Sequence, residues 1–218
     1  MDEILPGKVL KQIQAHYVVA VAQAENDYIH GKVDERALTG ALGEAHLNLD
    51  DTVEGEDGRV YHVIADYQKI NRRRQAPGAN ESQGIFQIEI SGSTGRVLRR
   101  TGLLFTAKTQ WKGRDAELLD QARKLNGNFR RAMVIDYSPN GYSAASAAHV
   151  IAADGDRKRM RNRIRKLSDM LAIEFVHCRM GVTNLYWDSD NAILRDPDGH
   201  SESLSMGHVL STHVRRLQ

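Results

Sequence analysis

The sequence predicts an α/β domain, and three observations carry that prediction. Apolar residues at helical spacing open the chain, a strictly alternating segment follows a Gly-containing stretch, and a strand, helix, strand succession lies in the middle. With 218 residues there is enough chain for one well-filled core and too little for two, so a single domain over residues 1–218 is expected.

Leu10, Ile13, Tyr17, Ala20 and Val21 fall on one face of a first helix. Leu38, Ala41, Leu42, Ala45 and Leu49 repeat the pattern after Asp34, whose carboxylate suits an N-cap. Asp50 to Asp57 reads as an acidic loop, Val60 to Ile70 as a strand or a short helix, and Arg72 to Gly84, with Pro77, Gly78 and Asn80, as a loop. Ile85 to Ile90 alternates as a strand does, Ser91 to Gly95 can reverse the chain, and Leu103 to Gln110 supplies a second strand. A helix is expected over Asp115 to Leu125, stopped by Asn126-Gly127, and a short apolar strand over Arg131 to Tyr137. Strand, helix, strand is the signature of a crossover unit. Gly141 to Ile151 suits a short helix, while Met160, Ile164, Leu167, Leu171, Phe175 and Cys178 mark one face of a long helix ending at Gly181, its other face basic. Residues 182–218 lack a strong period and read as a polar tail or an extended packing segment. The domain thus divides into a helical part (1–49), a central core (50–138) and a helical and tail part (139–218).

Composition removes several classes. Apolar residues make up 41% and charged residues 27%, and no apolar run approaches the length of a membrane span. Met1 to Pro6 has no basic region followed by an apolar stretch, and a lone Cys178 cannot form an internal disulfide, so a cytoplasmic protein is expected. No GxxxxGK[ST] loop, zinc-spaced Cys/His set or GxSxG elbow occurs, which argues against a P-loop nucleotide site, a zinc site and an esterase of the common type. Trp111 and Trp187 read as core or interface aromatics.

Charge is polarised along the chain. Residues 1–60 carry 5 Lys/Arg against 12 Asp/Glu, and residues 61–218 carry 25 against 16. The excess concentrates in Arg72-Arg73-Arg74, in Arg96, Arg99 and Arg100, and in Arg157 to Lys166, which holds seven basic residues. Such patches suit a polyanion, whose condensed counterions are released on binding, although a solvated surface accounts for any one of them equally well.

One constellation could carry chemistry. Strand alternation puts Gln87 with Glu89 on one face and Thr106 with Lys108 on one face, so in a hairpin the four could meet, with Glu81 from the preceding loop. Carboxylates there would hold Mg²⁺ or Mn²⁺, the ion would polarise a scissile phosphate, and Lys108 would orient water or offset developing charge. The plain alternative is a charged, solvent-facing sheet surface.

Asn80 to Ile88, then Gly102 to Lys108, then Leu118 to Ala122, then Met133 to Ser138 resemble the core of the restriction-endonuclease-like PD-(D/E)xK nuclease superfamily, particularly members found in bacterial anti-phage defence systems. The resemblance covers about residues 34–138. It implies a central mixed sheet flanked by helices, here with an N-terminal helical pair and a long basic C-terminal helix. It also implies a metal-dependent deoxyribonuclease with Glu81, Glu89 and Lys108 catalytic and Glu81, Glu89, Gln87 and Glu35 around the metal. Arg72, Arg73, Arg74, Arg157, Lys158, Arg161 and Arg165 would meet DNA, and partner subunits such as an ATPase or helicase, or further copies of the chain, would complete a defence complex. The pattern departs from the superfamily at two places: Thr106 stands where Glu or Gln is expected, and the strand Asp expected near Phe86 is missing. A catalytically degenerate subunit that keeps the fold for DNA binding or assembly is therefore the competing expectation.

Overall fold

Period-two burial builds the sheet in the computed structural model, which describes residues 1, 3–29, 34–70, 83–129, 131–198, 201–202 and 206–217. In the strand Gly84–Ser91, Phe86, Ile88 and Ile90 enter one core and Ile85 another, so both sheet faces are covered there. In chain order the elements are α1 (Gly7–Ile29), α2 (Glu35–His46), β1 (Asp50–Glu54), β2 (Val60–Lys69), β3 (Gly84–Ser91) and β4 (Val97–Thr109). Then come α3 (Ala116–Phe129), β5 (Met133–Tyr137), β6 (Ser143–Ser146), α4 (Ala147–Ala152), β7 (Arg165–Lys166) and α5 (Leu167–Asp169, running on as a wider helical turn to Phe175). Last are β8 (Val182–Thr183), β9 (Tyr186–Asp188), β10 (Ile193–Arg195), β11 (Ser201–Glu202) and β12 (His208–Arg216).

The sheet order is β1-β2-β12-β3-β4-β5-β6-β7, with β8 adding to β4 beyond the end of β5. β3 and β4 form the expected antiparallel hairpin, and α3 is the crossover that lets β5 run parallel to β4. The sheet is therefore mixed and flanked by helices. On one face α1, α2 and α5 pack against Leu103, Phe105, Met133 and Ile135; on the other, α3, α4 and the small β9–β11 sheet cover Leu104, Val134 and Val209. Asp34 caps α2 as expected, its carboxylate accepting the Ala37 N–H at 2.9 Å. α2 lies so close to β2 that a side chain at Gly43 would overlap the Tyr67 ring.

Several expectations need correction. The acidic stretch is no loop: Asp50–Glu54 pairs with Val60–Ile64 as an edge hairpin, where its row of carboxylates stays exposed. α3 runs past Asn126-Gly127 to Phe129. Gly141 to Ile151 splits into β6 and α4. The long basic C-terminal helix does not form. Arg157–Met160 is one tight helical turn, Arg165–Lys166 pairs with Ser143–Ala144 at the sheet edge, and the α-helix restarts only at Leu167. One local and one long-range interaction override helical periodicity there: the Asp156 carboxylate caps the Lys158 N–H at 3.0 Å, and the buried Asp136 carboxylate grips Arg157. The supposed tail holds β12, which lies in the sheet interior, antiparallel to β2 and parallel to β3.

Candidate functional site

The Lys108 end of β4 is built from three elements. β4 delivers Lys108 beside the first turn of α3, where its ammonium lies 3.4 Å from Asp115 and 3.6 Å from Glu117. Burial opposes the charge, but Asp115, Glu117 and Glu35 outweigh it and hold the pKa above the usual lysine value. Glu35, in the first turn of α2, accepts the Thr109 backbone N–H at 2.9 Å. The structure thus brings the helical acid singled out from sequence next to the motif lysine.

The rest of the expected constellation does not gather there. Glu89 faces Arg100 across the hairpin, and Lys108 lies eight residues farther along β4, about 26 Å at the usual strand rise. Gln87 faces Gly102, six residues and about 20 Å from Lys108. Alternation correctly sets these side chains on one face; register places them at opposite ends of it. Thr106 is wholly buried and donates a hydrogen bond to Gln121 on α3 at 2.8 Å, so it offers nothing to a cation. Glu81 lies outside the described residues, as do Arg72, Arg73 and Arg74. Among the described residues no group of three or more His, Cys, Asp or Glu side chains is placed to hold a metal ion. Gln87, Glu89 and Glu35 therefore do not fit as a shared Mg²⁺ or Mn²⁺ shell.

Gln87 and Glu89 serve another place. They line a cleft of about 260 Å³ on the open end of the same sheet face, together with Asp66, Arg100, Tyr186 and His213. Glu89 is paired with Arg100 at 2.6 Å. Gln87 accepts the Trp187 backbone N–H at 2.8 Å and donates to Ser211 Oγ at 2.9 Å, fixing β9 as a wall over the sheet. Gly102 permits this crossing, because a Cβ there would strike the Leu185 carbonyl. Asp66, Asp190, Ser211 and His213 of this cleft were missed by sequence reasoning. Alternation within β2 and β12 was the signal for Asp66, Ser211 and His213, and β12 was not recognised as a strand; Asp190 lies in the turn after β9, where no alternation marks it.

The basic segment keeps its exposure without its helix. Asp136, 3% exposed, accepts from Arg157 Nε and Nη2, both at 2.8 Å, and from the Trp111 N–H at 2.9 Å. Arg157 is therefore a structural anchor, with 34% of its side chain still exposed. Arg165 is held by Glu174 at 2.5 Å. Lys158, Arg161 and Lys166 are exposed, and among the described residues none has a carboxylate within ion-pair distance. Residues 111–170, which contain this edge, carry 13 Lys/Arg against 7 Asp/Glu. Trp111 and Trp187 are core side chains, as expected.

Comparison of the chain with protein-family models, curated proteins and solved structures returned no match. No helix among the described residues is long and apolar enough to cross a membrane.

Proposed function

We propose that the chain is a nuclease-like module that holds DNA along its basic edge without cleaving it, as a docking subunit of a bacterial anti-phage defence assembly. The observation that carries this reading is the exposed set Lys158, Arg161 and Lys166, unpaired among the described residues, on the turn and edge strand anchored by Asp136. A row of cations held by a buried ion pair meets phosphates at fixed spacing, and it supplies charge without a base-edge code. The loss of cleavage is supported by Thr106, whose hydroxyl is spent on Gln121, and by Lys108, whose charge is matched by Asp115 and Glu117.

One observation favours a second reading, a Mg²⁺- or Mn²⁺-dependent endonuclease: Glu35 and Lys108 are adjacent, in the order the superfamily resemblance implies. The two readings separate in one pair of assays. Fluorescence anisotropy with a labelled duplex should give salt-dependent binding, and Lys158→Gln/Arg161→Gln/Lys166→Gln should reduce the slope of log K against log salt by up to about 3. Plasmid incubated with Mg²⁺ or Mn²⁺ should show no nicking beyond background. Absence of salt-dependent binding would refute the docking role. Metal-dependent nicking that disappears in Lys108→Ala would establish the endonuclease instead, and stronger competition by RNA of equal length would move the ligand from DNA to RNA.

A further inference from the structure

The helical layer outside the sheet carries most of the exposed apolar side chains. Of the six large hydrophobic residues left exposed among the described residues, Val18 and Val19 lie on α1, Leu47 at the end of α2 and Ile173 on α5. Helix α1 packs against both neighbours. Its inner stripe, Val9, Ile13, Tyr17, Ala20 and Ala24, is buried, while Lys11, Ala15, Val18, Val19, Ala22 and Asn26 look outward. Gln23 is exposed as well, and it accepts from the Asn48 amide at 3.1 Å beside α2. Val18 and Val19 are 47% and 60% exposed, in the middle of a run of exposed positions from Ala15 to Gln23 that holds no charge. An acidic or a basic partner finds nothing there to match.

The outward set reads the same from either end. Steps of 4, 3, 1, 3 and 4 residues separate Lys11, Ala15, Val18, Val19, Ala22 and Asn26. A two-fold contact requires such symmetry, because each residue must find a counterpart when one helix is turned end for end. In an antiparallel pair Val18 and Val19 meet their own counterparts at the axis, and Ala15 meets Ala22, whose short side chains let the helices close. Charge follows the same rule. Lys8 and Lys11 occupy the first half of α1 and Glu25 and Asp27 the second, so an antiparallel pair brings opposite signs together and a parallel pair would bring like signs together. Lys11 is exposed with no carboxylate within ion-pair distance among the described residues, Glu56 acting on it only at longer range. Glu25 borders a groove of about 290 Å³ with Val18 and Ala22, and its carboxylate accepts the Tyr142 backbone N–H at 2.7 Å. Lys166 lines the same groove but lies beyond ion-pair distance of Glu25, which leaves this carboxylate to Lys11 of a second copy. From Lys11 to Asn26 the contact runs about 22 Å along the helix, and Leu47 and Ile173 widen it, which places it at the small, weakly associating end of specific interfaces.

We propose that two copies of this chain pair through the outward face of α1, the helices antiparallel about a two-fold axis at Val18 and Val19. Sedimentation equilibrium of the full chain tests it. Over micromolar to millimolar concentrations the average mass should rise from that of one chain toward that of two. Val18→Glu/Val19→Glu sets four carboxylates around the axis and should weaken association at least about tenfold. Both positions are exposed, so the variant should fold, and a thermal unfolding midpoint no lower than that of the natural chain confirms it. Oxidative cross-linking reads the orientation, since a disulfide forms only between closely approaching backbones. Val18→Cys should link to itself, and Ala15→Cys should link to Ala22→Cys in a mixture of the two faster than to itself, with the natural chain and its lone Cys178 as background. A chain that stays monomeric throughout overturns the proposal and leaves the face to a different protein. So does a dimer that Val18→Glu/Val19→Glu leaves intact, or one in which Ala15→Cys links faster to itself than to Ala22→Cys.

Discussion

Acid should loosen the packing of α1 and α2 on the sheet before it titrates the carboxylates, because two buried imidazoles join these layers. His46 Nε2 lies 3.0 Å from the Ser211 carbonyl of β12, which can only accept, so this nitrogen carries the proton. His46 Nδ1 then accepts from His16 Nε2 of α1 at 2.9 Å. Protonating His46 would set two N–H groups against each other in a dry site. Burial, reinforced by repulsion from the neighbouring His16, pushes His46 down to about 3; burial, partly offset by Asp51, pushes His16 down to about 4. Above pH 6.5 the rings are neutral whether the chain is folded or not, and nothing is lost. As pH falls below that value the unfolded chain takes up protons the folded one refuses, so stability declines until the folded values are reached. At pH 5 the loss is about 2 kcal/mol per ring, set by the distance from 6.5 rather than by the exact folded values. For the pair it is about 4 kcal/mol, or a fall of about 1.5 M in the urea midpoint at the slope usual for a chain this long. Urea unfolding at pH 7 and pH 5 measures it, comparing the natural chain with His16→Gln/His46→Gln. The double variant should start less stable and lose little more at pH 5. An equal fall in both proteins would refute the reasoning.

Other expectations concern single contacts. Asp136→Asn leaves the Arg157 guanidinium without its buried carboxylate and should cost about 3 kcal/mol in urea unfolding, with faster proteolysis within residues 157–166. Gly43→Ala should cost about 1–3 kcal/mol by forcing α2 off the Tyr67 ring, with part of the loss recovered in a Tyr67→Leu background. Thr106→Glu places a carboxylate in a wholly buried position and should destabilise by at least about 3 kcal/mol without conferring Mg²⁺-dependent stability; a metal-induced rise in its unfolding midpoint would show that only this acid was missing.

The elements with strong local patterns were legible in the sequence. The α1 and α2 stripes, the Ile85–Ile90 alternation and the α3 crossover each follow from spacing that a single segment displays. β12 was not legible because its polar residues are satisfied by partners remote in sequence. Thr212 meets the Tyr17 hydroxyl at 3.2 Å, Ser211 meets Gln87, and His208 Nδ1 meets the Tyr67 hydroxyl at 2.8 Å. Taken alone, such a segment looks too polar for a sheet interior. Val209, Thr212 and Val214 were the β-branched signal that could have marked it. The broken C-terminal helix failed for a related reason: Met160, Ile164, Leu167 and Leu171 keep helical spacing, but the grip of Asp136 on Arg157 and the pairing of β7 with β6 depend on residues more than 20 positions away.

The candidate site shows a sharper limit. Alternation states which face a strand residue takes, and that was correct for Gln87, Glu89, Thr106 and Lys108. Convergence also needs register, which the hairpin turn sets. A turn at Ser91–Gly95 couples residues whose numbers add to about 189, as Glu89 with Arg100 and Gly84 with Phe105 do. Any partner for Lys108 on β3 must therefore come from before the strand begins, and Gln87 and Glu89 are excluded by arithmetic available from the turn alone. The same arithmetic sends Glu89 to Arg100 and so to the cleft. One sheet face thus carries two separate chemistries: a lysine surrounded by carboxylates beside α3, and at the far end a cleft built around the Glu89–Arg100 pair.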